Sequence, residues 1–386
     1  MQGQRPKVAI VRGDALNPFE LQAYAPLQTE FDLMAIGRRS PSHEVGEIAL
    51  PTVLLHAASE VAAARPVVRR LARRLAPWWD PDYLFGLPAA VRGRPIIHAA
   101  ETVLPVTAQA AKLARAEGAK LVLTCWETIP FRYDDDPVLH RRKRLVKEVA
   151  THYLAVTSRS RDALVEEGVP GEKVSVVPAA VDCDRFGPSG RSPRVCSLWD
   201  VPESSFVVLY VGRLIMEKGV TELVRAFAQA RLDDAYLVFV GHGTQQGRIR
   251  YAAEAHGIAN RVKVAGAASY AILPEIYASA DIVVAPSLPT PYWEEQFGMV
   301  LVEAMACARP LVTTLSGAIP EVVGNAAKLV APYDLGALAN AIRCLGRDEP
   351  LRMALGTAAR QRAVDRYSVQ VVAPQIAALY HATLDH

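Results

Sequence analysis

The chain has 386 residues, 51% of them apolar, and its 43 Lys and Arg against 40 Asp and Glu give a formal net charge of +3. That length fits two or three domains with cores of their own. The apolar content excludes a disordered chain, and the near-neutral balance excludes a nucleic-acid binder that works through bulk charge. No uninterrupted apolar run approaches the roughly 18 residues of a membrane helix. After MQGQRPK the apolar VAIV stops at Arg12 and Asp14, so no secretory leader is expected and the chain reads as cytoplasmic. The five cysteines (125, 183, 196, 307 and 344) form no CxxC pair, which suits reduced thiols better than a disulfide frame or a zinc site.

Short apolar runs alternate with helical patterns along the whole chain. The first half predicts strands at 7–13, 31–37, 51–57, 94–100, 120–126, 153–158 and 174–180. Within it, 64–79 (ARPVVRRLARRLAPWW) predicts a basic amphipathic helix. Arg65, Arg69, Arg70, Arg73 and Arg74 fill one side, and Val67, Val68, Leu71 and Leu75 fill the other. Followed by Trp78 and Trp79, such a helix suits peripheral contact with the anionic inner surface of a membrane through 65–79. It equally suits plain packing onto its own domain. A stretch dense in Pro, Gly, Ser and charge, 182–205, reads as a linker. The second half then predicts strands at 206–212, 235–241, 262–266, 281–287 and 309–314.

Strand–helix alternation of this kind predicts an α/β protein of two doubly wound, Rossmann-like domains facing each other across a cleft. The expected boundaries are 1–189 for an acceptor-side domain and 190–366 for a donor-binding domain. Residues 367–386 form a helix crossing back to the first. Ligands of such folds sit beyond the carboxyl ends of the strands, which directs attention to the loops there.

Two of those loops carry chemistry. In VLYVGRLIMEKGVTELV a buried strand ends at Gly212, and Arg213 and Lys218 occupy the loop before a helix. A guanidinium fork and an ammonium there suit a departing diphosphate, although two solvated surface cations would look the same. In PYWEEQFGMVLVEAMACARP a helix opening at Gly298–Met299 aims free N–H groups at any nearby anion. Glu295 precedes that helix and Glu303 lies about a turn inside it. Flanking carboxylates of this kind suit sugar hydroxyls, or are ordinary loop and helix acids. Gly241 and Gly243, in VGHG, allow close backbone approach, which alone is a weak signal.

In this order and spacing, VGRLIMEKG (211–219), VGHG (240–243), VKVAG (262–266), DIVVAPS (281–287), the E-x7-E pair Glu295 and Glu303, and SGAIPEVV (316–323) resemble the family 4 retaining glycosyltransferases of the GT-B fold. The resemblance is strong over about 150–330 and weak before it. It implies transfer of a hexose from a UDP- or GDP-linked sugar to a glycan, lipid-linked or small-molecule acceptor. The anomeric configuration would be kept, with no cofactor and no metal. It assigns Arg213 and Lys218 to the donor diphosphate, Glu295 to the transferred sugar and Glu303 to the ribose. Phe297, Gly298 and Met299 would present backbone to sugar and phosphate, and Gly212, Gly241, Gly243 and Val300 complete the donor-binding set. Competing functions are a two-domain small-molecule-binding protein and an inactive partner subunit.

The acceptor side departs from the family. Many relatives carry a His where Trp126 stands, and Glu127 follows it. His98, Glu101 and Glu127 are the polar candidates nearby, and Gly13 is what remains of a glycine-rich loop after the first strand. The D-x-D matches at Asp80–Asp82, Asp134–Asp136 and Asp182–Asp184 lie in turn-like segments and are read as chance, not metal ligands.

Overall fold

The protein is described by a computed structural model covering residues 5–42, 44–64 and 80–385. The basic helix expected at 65–79 lies outside the described residues. Two compact units form, Met1–Ala180 together with Val372–His386, and Val181–Val371.

The first unit holds a seven-stranded sheet. Its strands are β1 (Lys7–Gly13), β2 (Asp32–Arg38), β3 (Thr52–Leu55), β4 (Ile96–Ala100), β5 (Lys120–Cys125), β6 (Ala150–Ala155) and β7 (Val174–Val176). The order is β3-β2-β1-β4-β5-β6-β7, and every pairing is parallel. Central strands read as continuous apolar runs because helices cover both faces. Ile97, Leu121 and Leu123 pack with Ala110, Ala111 and Ala114 of the helix Pro105–Glu117 and Val146 of the helix Pro137–Val149. Asp136 caps the latter helix, accepting from the N–H groups of Val138 and Leu139, and Pro137 fits its first turn. From Val372 onward the last helix, Val369–Asp385, belongs to this unit. There Tyr380 is buried edge-on against Phe31, with ring centres 5.3 Å apart.

The second unit holds six parallel strands: β8 (Phe206–Val211), β9 (Ala235–Val240), β10 (Val262–Gly266), β11 (Ile282–Ala285), β12 (Leu311–Thr314) and β13 (Ala327–Val330). They run in the order β10-β9-β8-β11-β12-β13. The amphipathic helix Val220–Ala230 buries Val220, Leu223, Val224 and Phe227, and Leu338, Ile342 and Leu345 of the helix Leu335–Arg347 join the same core. β13 was not expected from the sequence. Its four residues AKLV carry a Lys and form too short an apolar run to stand out from the sequence, so pairing with β12 decides their conformation.

The stretch read as a linker is corrected. Residues 182–205 are built into the second unit, which starts at Val181 and not at 190. Ser192 caps a helix, Pro193–Trp199, that buries Val195, Cys196 and Trp199. Arg191 pairs with Asp281 at 2.5 Å. Composition suggested a flexible joint, but the apolar residues spaced within it have a core to enter.

In both sheets the strand order reverses between the first strand and the fourth, β1 and β4 in one unit, β8 and β11 in the other. Loops leaving those pairs diverge and leave a crevice beyond the strand ends.

Candidate functional site

In the second unit, Lys218 and Glu295 emerge from the two loops at that reversal. Lys218 ends a short 3-10 turn, Met216–Lys218, and Gly219 follows in the left-handed region (φ +65°). A β-carbon at Gly219 would stand 2.1 Å from the carbonyl oxygen of Pro286, so only glycine lets the loop after β8 lie against the loop after β11. The Lys218 ammonium thereby reaches Glu295 Oε2 at 2.6 Å. Ser287, just past β11, donates its hydroxyl to the same oxygen at 2.7 Å. Glu295 is buried. Burial pushes its carboxyl up, but Lys218, the Ser287 hydroxyl and the Arg213 charge outweigh that and hold it below the ordinary glutamate range. Arg213 is itself exposed beside this cluster. A buried carboxylate kept ionised by two cations on another loop is not the ordinary loop acid that the sequence also allowed.

Directly after Glu295, Phe297 is buried edge-on against Tyr367, with ring centres 5.7 Å apart, so its side chain packs and only its backbone can face a ligand. Gly298 takes φ +83° and opens the helix Met299–Ala306 with no side chain capping it. Met299 and Val300 form its first turn, half-buried. Glu303 lies one turn in and is 3% exposed, which overturns its reading as a solvated helix residue. Tyr277 donates its hydroxyl to Glu303 Oε2 at 2.8 Å, and Tyr270 also hydrogen-bonds the carboxyl. Burial raises Glu303 to about 7 against the pull of these hydroxyls and of Arg185. The Arg185 guanidinium stacks 4.7 Å from the Tyr270 ring centre and donates to the Tyr270 carbonyl at 2.9 Å.

Gly212, Gly241 and Gly243 serve the loops themselves. A β-carbon on Gly241 would lie 1.9 Å from the Gly212 carbonyl oxygen, and one on Gly243 2.1 Å from that of Leu214. Their absent side chains let the loops after β8 and β9 stack.

Within the first unit the corresponding corner gathers Gly13, Glu101, Trp126 and Glu127 at the ends of β1, β4 and β5. His98 is corrected. It is fully buried, with Nδ1 2.6 Å from the Tyr380 hydroxyl and Nε2 2.8 Å from Thr124 Oγ1. Burial, then the Arg12 charge, lower its pKa well below the usual value. Both ring nitrogens are occupied, so His98 knits β4 to β5 and the last helix and offers nothing to an acceptor. Glu127 is tied down by Arg132 at 2.7 Å and by the Tyr133 hydroxyl at 3.3 Å, which makes it the organiser of its own loop. Glu101 has a left-handed backbone (φ +57°), uncommon outside glycine, and accepts from the Trp126 N–H at 2.7 Å. Burial raises its carboxyl to about 7, with the Glu127 charge adding to the rise and backbone N–H groups opposing it.

Sequence reasoning missed Arg12, which is 2% exposed and donates to the His98 carbonyl at 3.1 Å and to Thr124 Oγ1 at 3.3 Å. Its Nε lies 3.7 Å from Glu20 Oε2. It missed Ser287, Trp293, Tyr270 and Tyr277 as well; Ser287 and Trp293 had a signal, as members of DIVVAPS and of PYWEEQFG. The D-x-D aspartates do local work. Asp136 caps its helix, Asp134 pairs with Lys143 at 2.9 Å, and Asp182 accepts from the N–H groups of Asp184 and Arg185. Among the described residues no group of three or more His, Cys, Asp or Glu stands close enough to hold a metal ion.

These loops lie inside matches to two known protein families. Residues 199–362 match Glycosyl transferases group 1, and residues 39–185 match Glycosyltransferase Family 4. The chain belongs to the family 4 glycosyltransferases of group 1. It is similar to an MMP alpha-(1->4)-mannosyltransferase of Mycolicibacterium hassiacum, 32% identical over 248 residues, 63% of this chain and 56% of that protein. It is also similar to an alpha-D-kanosaminyltransferase of Streptomyces kanamyceticus, 28% identical over 260 residues, 66% of each. The aligned part thus spans between about half and two thirds of these curated relatives. Anabaena Alr3699/HepE in complex with UDP superposes with a TM-score of 0.77 over 98% of this chain and 100% of that one, at 20% identity. WaaG, a glycosyltransferase involved in lipopolysaccharide biosynthesis, does so with 0.65 over 96% and 99%, at 17% identity. Family 4 members of this kind have the GT-B fold, two parallel-sheet, Rossmann-like domains, as found here.

Proposed function

We propose that the protein transfers a hexose from a UDP- or GDP-linked sugar to a glycan, lipid-linked or small-molecule acceptor. The anomeric configuration is kept and no metal is used. The observation that carries this reading is the Lys218–Glu295–Ser287 cluster, set where the strand order reverses and beside the uncapped start of the helix Met299–Ala306. Family membership supports it, as do relatives whose names describe mannosyl and kanosaminyl transfer. So does the UDP held by a protein of the same fold.

In this mechanism the bond from the anomeric carbon to the diphosphate oxygen breaks while the acceptor hydroxyl bonds to that carbon on the same face. The acceptor proton passes to the departing phosphate oxygen, and the products are a glycoside and a nucleoside diphosphate. Negative charge grows on the leaving oxygen. Arg213, Lys218 and the helix N-terminus are the preorganised groups that stabilise it, usually the largest catalytic contribution. Glu295, ionised, accepts hydrogen bonds from the sugar hydroxyls while holding Lys218 in place. Glu303 accepts from the ribose. Asp134 and Asp136 are engaged by Lys143 and by a helix cap, and Asp182 by the N–H groups of its own turn, which supports a side-chain clamp in place of a metal.

A panel of UDP- and GDP-linked hexoses tests the proposal, read by thermal shift and by slow donor hydrolysis, with the anomer of the released sugar followed by NMR. One nucleotide sugar should protect the fold and be hydrolysed with retention. Inversion, or a panel that neither binds nor turns over, overturns it.

A further inference from the structure

One aromatic side chain at the candidate site has no part in the chemistry above. The Lys218 ammonium lies 5.0 Å from the centre of the Trp293 ring, within range of the attraction between a cation and an indole face. Trp293 is not left to drift into that position. It closes a small hairpin with Thr290, whose N–H donates to the Trp293 carbonyl at 2.7 Å. The Tyr333 hydroxyl anchors the hairpin at the Pro289 carbonyl, 2.7 Å away. At its base the Leu288 N–H donates to the carbonyl of Glu217, the residue before Lys218, also at 2.7 Å. The loop that carries the indole is therefore fastened to the turn that carries the ammonium.

An ammonium has three N–H donors, and Glu295 Oε2 receives one of them at 2.6 Å. Lysine carries a compact charge on a flexible four-carbon stem, unlike the rigid fork of arginine, so something must fix its direction if it is to meet a phosphate. We propose that Trp293 is the positioning residue for Lys218: the indole covers one side of the ammonium and Glu295 engages another, which leaves the remaining donors for a diphosphate oxygen. This rests on the reading of Lys218 as a diphosphate ligand. In this arrangement the aromatic ring confines the cation without competing for its hydrogen bonds, whereas a second carboxylate would neutralise it.

Two measurements test the proposal, the first without any nucleotide. Acetylation of Lys218 by a limiting amine-reactive reagent is followed by peptide mass spectrometry, with Lys263 and Lys328 as internal standards. Trp293→Leu should raise Lys218 labelling several-fold over those standards, and Trp293→Phe, which keeps an aromatic face, should restore it nearly to wild type. Unchanged labelling in Trp293→Leu, or an equal rise at all three lysines, overturns the proposal. The second is a double-mutant cycle on the affinity for UDP and GDP. Trp293→Leu should weaken the better ligand about 3–10-fold, the range of one such contact, and should have no further effect in a Lys218→Met background. The same loss with and without Lys218 shows that Trp293 acts elsewhere and overturns the proposal. If the wild-type protein binds neither nucleotide, the donor reading falls and the labelling result alone decides the role of Trp293.

Discussion

Replacing Glu303 with Gln keeps an acceptor for the Tyr277 hydroxyl and removes the buried charge. Glu303 titrates near 7 in the folded protein against about 4.5 when unfolded, because burial disfavours its charged form more than Tyr277, Tyr270 and Arg185 favour it. Between those pH values the native state holds a proton that the unfolded chain has lost, so stability falls as pH rises. A shift of some 2.5 units at ~1.36 kcal/mol each sets an upper value of roughly 3 kcal/mol. That stability is fully present below about pH 4.5 and gone above about pH 7. Glu101 titrates in the same window, so the wild-type curve alone would mix the two groups. The difference between wild type and Glu303→Gln isolates Glu303. Urea unfolding from pH 4.5 to 8.5 should show the variant gaining on the wild type by about 2–3 kcal/mol across this range, in the transition of the second unit. UDP or GDP affinity should move the opposite way. If ribose hydroxyls donate to the carboxylate, wild-type affinity rises with pH up to about 7 and levels off, and the variant shows weaker, pH-independent binding. A stability difference that stays flat from pH 4.5 to 8.5 would refute the argument, since it would mean that the tyrosine hydroxyls fully offset burial.

Arg213→Ala and Lys218→Ala should each lower turnover by about 10²–10³, the range for removing one preorganised stabiliser, and near-normal rates in both would remove the leaving-group role. Excess EDTA should leave activity unchanged; loss restored by manganese would show a metal to be essential. His98→Leu should destabilise the first unit by roughly 1–3 kcal/mol by removing the buried partner of the Tyr380 hydroxyl and leaving Thr124 with Arg12, while donor hydrolysis stays within about twofold of wild type. Gly241→Ala should cost more than about 3 kcal/mol or prevent soluble expression, because its β-carbon would stand 1.9 Å from the Gly212 carbonyl oxygen.

Residue order alone determined the doubly wound architecture, because periodicity and burial pattern are local properties. The expected strands from 7–13 to 309–314 each meet an observed one, and β10 coincides with its expected span. The placement of Arg213, Lys218 and Glu295 on loops beyond apolar strands, and of Glu303 one turn into the helix that follows, was legible too, since strand ends and helix-forming segments are local signals. Protonation states were not legible, because burial and neighbouring charge set them. E-x7-E names two glutamates of one kind, yet folding places Lys218 and Arg213 near one and tyrosines around the other. One stays ionised, while the other is pushed to about 7. His98 looked available at a strand end, but its partners Thr124 and Tyr380 lie 26 and 282 residues away in sequence. A separation of 75 residues in sequence likewise hid the pairing of Trp293 with Lys218, which only the contact between the loops after β8 and β11 creates. Sequence order decides which side chains the strand ends carry. Tertiary packing decides which of them share a solvent-poor space, and that sharing fixes their charge and direction.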